Sequence, residues 1–324
     1  MAMSALPKRV VIREVGPREG FQILGKVVPT EHKVRLISAL VEAGLSEIEV
    51  AAFVRPDRVP TMADAEVIVA TLPHAPAVRY TALYLNEKGF LRAETSGKLC
   101  NRGWLYSSPS ESFLKANTNT SIDDALKSVP SWSAAFRGAG KKTEALMIST
   151  AFGCGYEGHI APESVARLVE RYIAACEACG DELREICLAD TVGVAHPHSI
   201  RSTVQLLKPF GVPVSLHLHN TWGLAAANVY AGLLEGVSIF EASVGGLGGC
   251  PFTPGASGNV ATEDVVYLCH ALGIETGIDL EKMCVAAELA ETIVGQPLSS
   301  HVYHAWKHSG RSLCLVVEND KNRD

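Results

Sequence analysis

No block of basic residues appears anywhere in the chain, and its formal net charge is −6. A face that grips nucleic acid needs clustered positive charge, so nucleic acid is not an expected partner. No apolar run is long enough to span a bilayer, and no secretory h-region follows Met1, so no membrane is expected either. No linker, low-complexity segment or internal repeat divides the chain. No second CxxC accompanies Cys176 and Cys179 of CEAC. That pair lies in ESVARLVERYIAACEACGDELREI, a helical pattern, and reads as two thiols near a helix end rather than a zinc or redox motif. The nine cysteines are scattered and odd in number. They form no evident disulfide framework, and a reducing cytoplasm is the expected setting.

What is present is ordinary globular material, 324 residues that are 47% hydrophobic and 20% charged, with ample length for a core. Short β-rich runs alternate with helical patterns. RVVIREVG (9–16), LSEIEVAAFV (45–54), VRYTALYLN (78–86) and KLCNRGWLYSS (98–108) read as the first four strands. EALMISTAFG (144–153), LREICLAD (183–190), VPVSLHLHN (212–220) and VSIFEASVGG (237–246) read as the last four. Helical patterns fall between them. PTEHKVRLISALVEAG (29–44) starts with Pro and Thr and ends at Gly44. SIDDALKSVPSWSAAFRGAG (121–140) carries Pro130, which predicts a kink. Eight strand–helix units in about 250 residues fit a closed (β/α)8 TIM barrel, with additional C-terminal helices. The expectation is one domain over 1–324, with the barrel at 9–273 and a helical extension at 279–310.

In such a barrel the chemistry sits at the C-terminal strand ends. Arg18, Glu19 and Gln22 follow strand 1, Glu49 lies on strand 2, and Asp190 ends strand 6. His217, His219 and Asn220 end strand 7. Strand side chains alternate, so His217 and His219 project to one side. Taken alone, HxH also fits two buried, hydrogen-bonded histidines. Barrel closure makes strand 8 the neighbour of strands 7 and 1, so Glu19 and Asn259 can meet the histidines around one ion. A carboxylate, two imidazoles and an amide oxygen suit Mg²⁺, Mn²⁺ or a similar octahedral cation. Glu49 and Asp190 fit either the active site or interior ion pairs with arginines. GGLGGCPFTPG lacks the dinucleotide spacing and reads as a loop that folds over a ligand. Its Cys250 is either a proton carrier or an incidental thiol.

Together these residues resemble the 3-hydroxy-3-methylglutaryl-CoA lyase family, within the wider metal-dependent lyases and Claisen-type synthases. VGPREGFQ resembles the family's VGPRDGLQ, and IEVAAFVRPDRVPTMAD its second-strand motif. ADTVGV, HLHNTWGLAAAN and GLGGCPFTPGASGNVATED are near-literal matches. The resemblance covers about residues 9 to 310. It implies an acyl-CoA substrate, with CoA as part of it, and a divalent cation held by Glu19, His217, His219 and Asn259. It implies that Arg18 stabilises an enolate and that Cys250 closes over the site and helps protonate the enolate carbon. SESFLKANTNTS resembles a segment near CoA, which implies contacts from Lys115 and Asn117.

Three departures stand out. Glu19 replaces an aspartate, and the extra methylene moves the carboxylate by about 1.3 Å. Ala51-Ala52 replaces Thr-Ser, and Arg55 replaces a small residue. They suggest an acyl group other than methylglutaryl. A Claisen-type acyltransferase or aldolase of the same superfamily, and a catalytically degraded acyl-CoA-binding relative, are the alternative readings. A homo-oligomer is left open.

Overall fold

The short β-rich runs become eight parallel strands in a computed structural model that describes residues 6–249 and 258–310. They are β1 (Val11–Glu14), β2 (Glu47–Ala52), β3 (Arg79–Leu83) and β4 (Gly103–Ser107). They continue as β5 (Thr143–Ile148), β6 (Glu185–Asp190), β7 (Val214–Leu218) and β8 (Ile239–Ala242). The hydrogen-bonded order is β3-β2-β1-β8-β7-β6-β5-β4, so chain neighbours other than β3 and β4 are sheet neighbours, and β8 lies between β7 and β1. This is the TIM-barrel arrangement. Register pairs Val11 with Ile239 and Glu241 with His217, which brings the ends of β1, β7 and β8 to one level.

The strands β3 and β4 meet at a seam closed partly by side chains. The Cys100 N–H donates to the Tyr80 carbonyl at 2.7 Å. The Ala82 N–H donates to Asn101 Oδ1 at 2.9 Å. Tyr84 inserts its hydroxyl, donating to the Arg102 carbonyl at 2.7 Å and accepting from Trp104 N–H at 2.9 Å. A ladder's donors and acceptors are thus met without a continuous ladder.

Helices cover the barrel. Thr30–Glu42 turns Leu36, Ile37 and Leu40 inward, all fully buried. Each such side chain contributes about 1.5–3 kcal/mol of burial free energy. Helix Leu280–Val294 follows the barrel, and the Asp279 N–H at its cap donates to the Ala43 carbonyl at 2.9 Å. Inside, the lower barrel is ionic. Arg13 bonds Glu185 at 2.5 and 2.8 Å and Glu47 at 3.1 Å, and Arg102 reaches Glu185 at 2.9 Å. Charges so buried persist only when paired.

Two details differ from the sequence expectation. The segment 121–140 is two helices, Ile122–Lys127 and Val129–Gly138, rather than one kinked helix. Pro130 sits in the first turn of the second, where its missing N–H costs nothing. The residues after β1, to which the sequence assigned no element, form a short helix, Gly16–Gln22.

Candidate active site

The short helix positions the first group of site residues. Pro17 presets its first turn. Gly16 is required by contact, because a Cβ there would stand 2.5 Å from Glu14 Oε1. Glu14 accepts from the N–H groups of Gly16 (2.7 Å) and Val244 (2.8 Å) and from Thr262 Oγ1 (2.6 Å). It thereby ties the exit of β1 to the exit of β8. Burial pushes its carboxyl up to about 7, against these donors.

The expected metal residues come together. His217 Nε2 and His219 Nε2 lie 3.1 Å apart. Glu19 Oε1 is 3.2 Å from His219 Nε2 and 3.7 Å from His217 Nε2. Asn259 enters on the strand segment that bridges His219 and donates through Nδ2 to Glu19 Oε1 at 3.1 Å. Its Oδ1 is buried and finds no partner among the described residues. Gly248, at φ +119°, makes room for this amide, since a Cβ would meet Asn259 Nδ2 at 2.4 Å. The three converging donors, two imidazole nitrogens and a carboxylate oxygen, fit a hard or borderline divalent cation, and the Asn259 amide, which faces Glu19 through Nδ2, holds an unpartnered oxygen beside them.

The electrostatics suit that donor set. Burial alone would raise the Glu19 carboxyl, but His217, Arg18 and His219 outweigh it and hold it well below the usual carboxylate range. Burial lowers the His219 imidazole, with Glu19 opposing. Burial also acts to lower His217, but Glu19 and Glu241 outweigh it and raise the group.

Arg18 is held from two sides. Its Nε donates to Glu49 Oε1 at 2.5 Å, and Nη2 meets Glu19 Oε2 at 3.2 Å. Burial works against the guanidinium's charge, and Glu49 and Glu19 overcome that. Glu49 is therefore the arginine's partner. Asp190, also buried, faces backbone instead. It accepts from Val194 N–H at 2.9 Å and Ala195 N–H at 3.1 Å, and so shapes the loop after β6. Burial pushes its carboxyl up to about 7. It pairs with no arginine among the described residues. Asn220 Oδ1 accepts from Ala225 N–H and starts the next helix.

A cavity of about 220 Å³ opens over these groups. Arg18, Glu19, Gln22, His217 and His219 line one side, and Leu83, Leu85, Phe113, Leu114 and Met147 supply apolar wall. Asn117 lines this cavity, whereas Lys115, on the same helix, lines a shallow groove outside it. Cys250 lies outside the described residues. Below the mouth sits a second chamber of about 40 Å³, bordered by Arg13, Arg18, Glu49, Tyr106 and Glu241.

The sequence departures largely turn away from the site. Ala51 and Ala52 are packed in the core and line neither chamber. Arg55 is exposed and pairs with Asp57 at 2.6 Å. Motif reading passed over Glu241, whose Oε2 lies 2.9 Å from His217 Nδ1. Its signal was available, as a charged residue in a buried strand beside the histidine strand.

Fold and cluster define a class, a (β/α)8-barrel enzyme with two imidazoles and a carboxylate converging at the mouth. The family model described as HMGL-like matches residues 9–290, and the chain belongs to that family. The mitochondrial hydroxymethylglutaryl-CoA lyase of Rattus norvegicus is 39% identical over 308 residues, 94% of this chain and 91% of that protein. The Bacillus subtilis HMG-CoA lyase structure is 36% identical and superposes with a TM-score of 0.86, covering 94% of this chain and 100% of that one. An Acinetobacter baumannii HMG-CoA lyase, solved with coenzyme A and 3-methylmalate, is 34% identical with a TM-score of 0.83. It covers 97% of this chain and 99% of that one.

Proposed function

We propose that this protein cleaves 3-hydroxy-3-methylglutaryl-CoA, or a close 3-hydroxy-3-alkyl homologue, to acetyl-CoA and a keto acid. The observation that carries the reading is the convergence of Glu19 with His217 and His219 beside Arg18, in a chain whose relatives are lyases of this kind.

Glu19, His217, His219 and the Asn259 amide oxygen would hold a divalent cation, Mg²⁺ or Mn²⁺. When bound, the cation supplies Lewis acidity that lowers the pKa of the substrate's tertiary hydroxyl. Loss of that proton lets the oxygen become a ketone as the adjacent carbon–carbon bond breaks. The electron pair of that bond passes into the thioester as an enolate. Arg18 offers its guanidinium to the enolate oxygen, preoriented by Glu49, so little reorganisation accompanies the charge. Cys250 is proposed to close over the site and help return a proton to the enolate carbon, giving acetyl-CoA. The apolar wall excludes water that would quench the enolate early.

Asn117 at the cavity rim and Lys115 in the groove beside it are proposed contacts for the CoA moiety. The whole chain is proposed as one barrel domain with its helical extension. No described helix is long and apolar enough to cross a membrane. Seven described cysteines are free, in keeping with a reducing, cytoplasmic setting.

The test is direct. The protein is incubated with 3-hydroxy-3-methylglutaryl-CoA and longer 3-alkyl homologues, with Mg²⁺ or Mn²⁺, and the products are read by mass spectrometry. Acetyl-CoA plus acetoacetate, or its homologue, is expected. Intact thioesters throughout the panel would overturn the reading.

A further inference from the structure

The reading above leaves Glu241 without a role, although it touches the site. We propose that Glu241 is a positioning residue that aims His217 at the cation. This rests on the proposed function's metal site and deepens it.

The strand register sets Glu241 of β8 opposite His217 of β7. Its Oε2 lies 2.9 Å from His217 Nδ1, and both side chains are buried. A carboxylate can only accept here, so Nδ1 carries the proton and donates. That fixes the tautomer and leaves the Nε2 lone pair facing the space where His219 Nε2 and Glu19 Oε1 converge. The hydrogen bond also fixes the ring plane, and the carboxylate's charge makes the imidazole a stronger donor toward a cation. The two histidines are not equivalent. His219 Nδ1 is buried and has no partner among the described residues, so only His217 is held from behind.

Glu241 also borders the small lower chamber with Arg13 and Arg18. Those two guanidiniums offset its charge, and a buried carboxylate needs such compensation. The residue therefore couples the metal face of the barrel to its ionic interior. A purely structural role predicts a different outcome, in which loss of Glu241 lowers stability and leaves cation affinity alone.

The experiment titrates full-length protein with Mn²⁺, followed by electron paramagnetic resonance of the free ion. Wild type is compared with Glu241→Ala and Glu241→Gln. The glutamine keeps shape and an accepting oxygen but not the charge. Mn²⁺ affinity should fall about 10–100-fold in Glu241→Ala and by a smaller factor in Glu241→Gln. The thermal midpoint of Glu241→Gln should stay close to wild type. If Glu241→Ala does not fold, Glu241→Gln decides alone. Variants that bind Mn²⁺ within twofold of wild type overturn the inference while leaving the proposed function intact, and a turnover loss without an affinity loss does the same. Wild-type protein that binds no Mn²⁺ overturns the proposed cation and this inference together.

Discussion

Glu19 meets three cationic or proton-bearing partners at once, His217, His219 and Arg18, and also accepts from the Asn259 amide. A residue so placed shows whether the cluster is a metal site or a hydrogen-bonded knot. His219→Ala removes one of the two converging nitrogens. Its expected effect is loss of Mn²⁺ binding by isothermal calorimetry, with turnover reduced by about 10²-fold or more. Unchanged Mn²⁺ binding in that variant would sink the metal assignment. Arg18 gives a second expectation. Its Nε is committed to Glu49 and Nη2 to Glu19, a planar two-sided grip that an ammonium cannot reproduce. Arg18→Lys should lower kcat by about 10²-fold, as loss of an oxyanion donor does. Near wild-type kcat in steady-state assays of that variant would remove Arg18 from the chemistry. The histidine pair was legible because strand parity is a strict rule. Glu241 was legible only as a charged residue in a buried strand, because its meeting with His217 depends on the register between β8 and β7. The pocket-reshaping role expected of Ala51, Ala52 and Arg55 fails for a related reason. Sequence places them beside Glu49, but Ala51 and Ala52 lie in the core and Arg55 faces solvent. Glu19 is left as the one departure that touches the reacting groups.

The elements that carry these side chains depend on buried carboxyls at the strand exits. Glu263, in the first turn of helix Thr262–Ala271, accepts the Gly245 N–H through both oxygens at 3.0 Å. Burial pushes its carboxyl up to about 8, from an ordinary 4.5. The folded chain therefore keeps a proton that the unfolded chain releases between those values. This group's stabilisation is complete below about pH 4.5, declines as pH rises, and is lost above about pH 8. Glu263→Gln keeps an oxygen for Gly245 and cannot ionise. Its thermal midpoint should change less between pH 5 and pH 8 than that of wild type, by differential scanning calorimetry at about those two values. Equal slopes would mean that Glu263 is ionised in the fold over the whole range. At this scale all eight strands were found in order, but their ends were read up to five residues too long, because buried parallel strands carry apolar residues on both faces and blend into their flanking loops. The helix Gly16–Gln22 was missed because seven residues are too few to show a period. The break at Ser128 was read as a kink because proline in a first turn and proline within a helix look alike in sequence.

In the whole molecule, closure of the barrel brings residues 240 positions apart, Glu19 and Asn259, to 3.1 Å. Sequence conveyed that closure through the count of strand–helix units. It could not convey that the continuous ladder of the wall is interrupted between β3 and β4. There Tyr84 and Asn101 stand in for backbone. Tyr84→Phe removes a hydroxyl that donates to the Arg102 carbonyl and accepts from Trp104 N–H, and since that N–H also reaches the Arg102 oxygen at 3.0 Å, the loss should be the net worth of a hydrogen bond, about 0.5–1.5 kcal/mol, read from urea unfolding. Turnover at low denaturant should stay near wild type, since Tyr84 lines neither chamber. A loss below a few tenths of a kcal/mol would show that the seam closes without it.

Those two side chains have a second consequence. A sheet with an unzipped wall has two free edges, and free edges recruit strands from neighbouring molecules. Asn101 occupies the Ala82 amide on one edge, and Tyr84 occupies the Arg102 carbonyl and the Trp104 amide on the other. Were the seam to open, these bonds would have to break before either edge could pair with another molecule. A chain stripped of both would carry its penalty in the test tube as aggregation on storage.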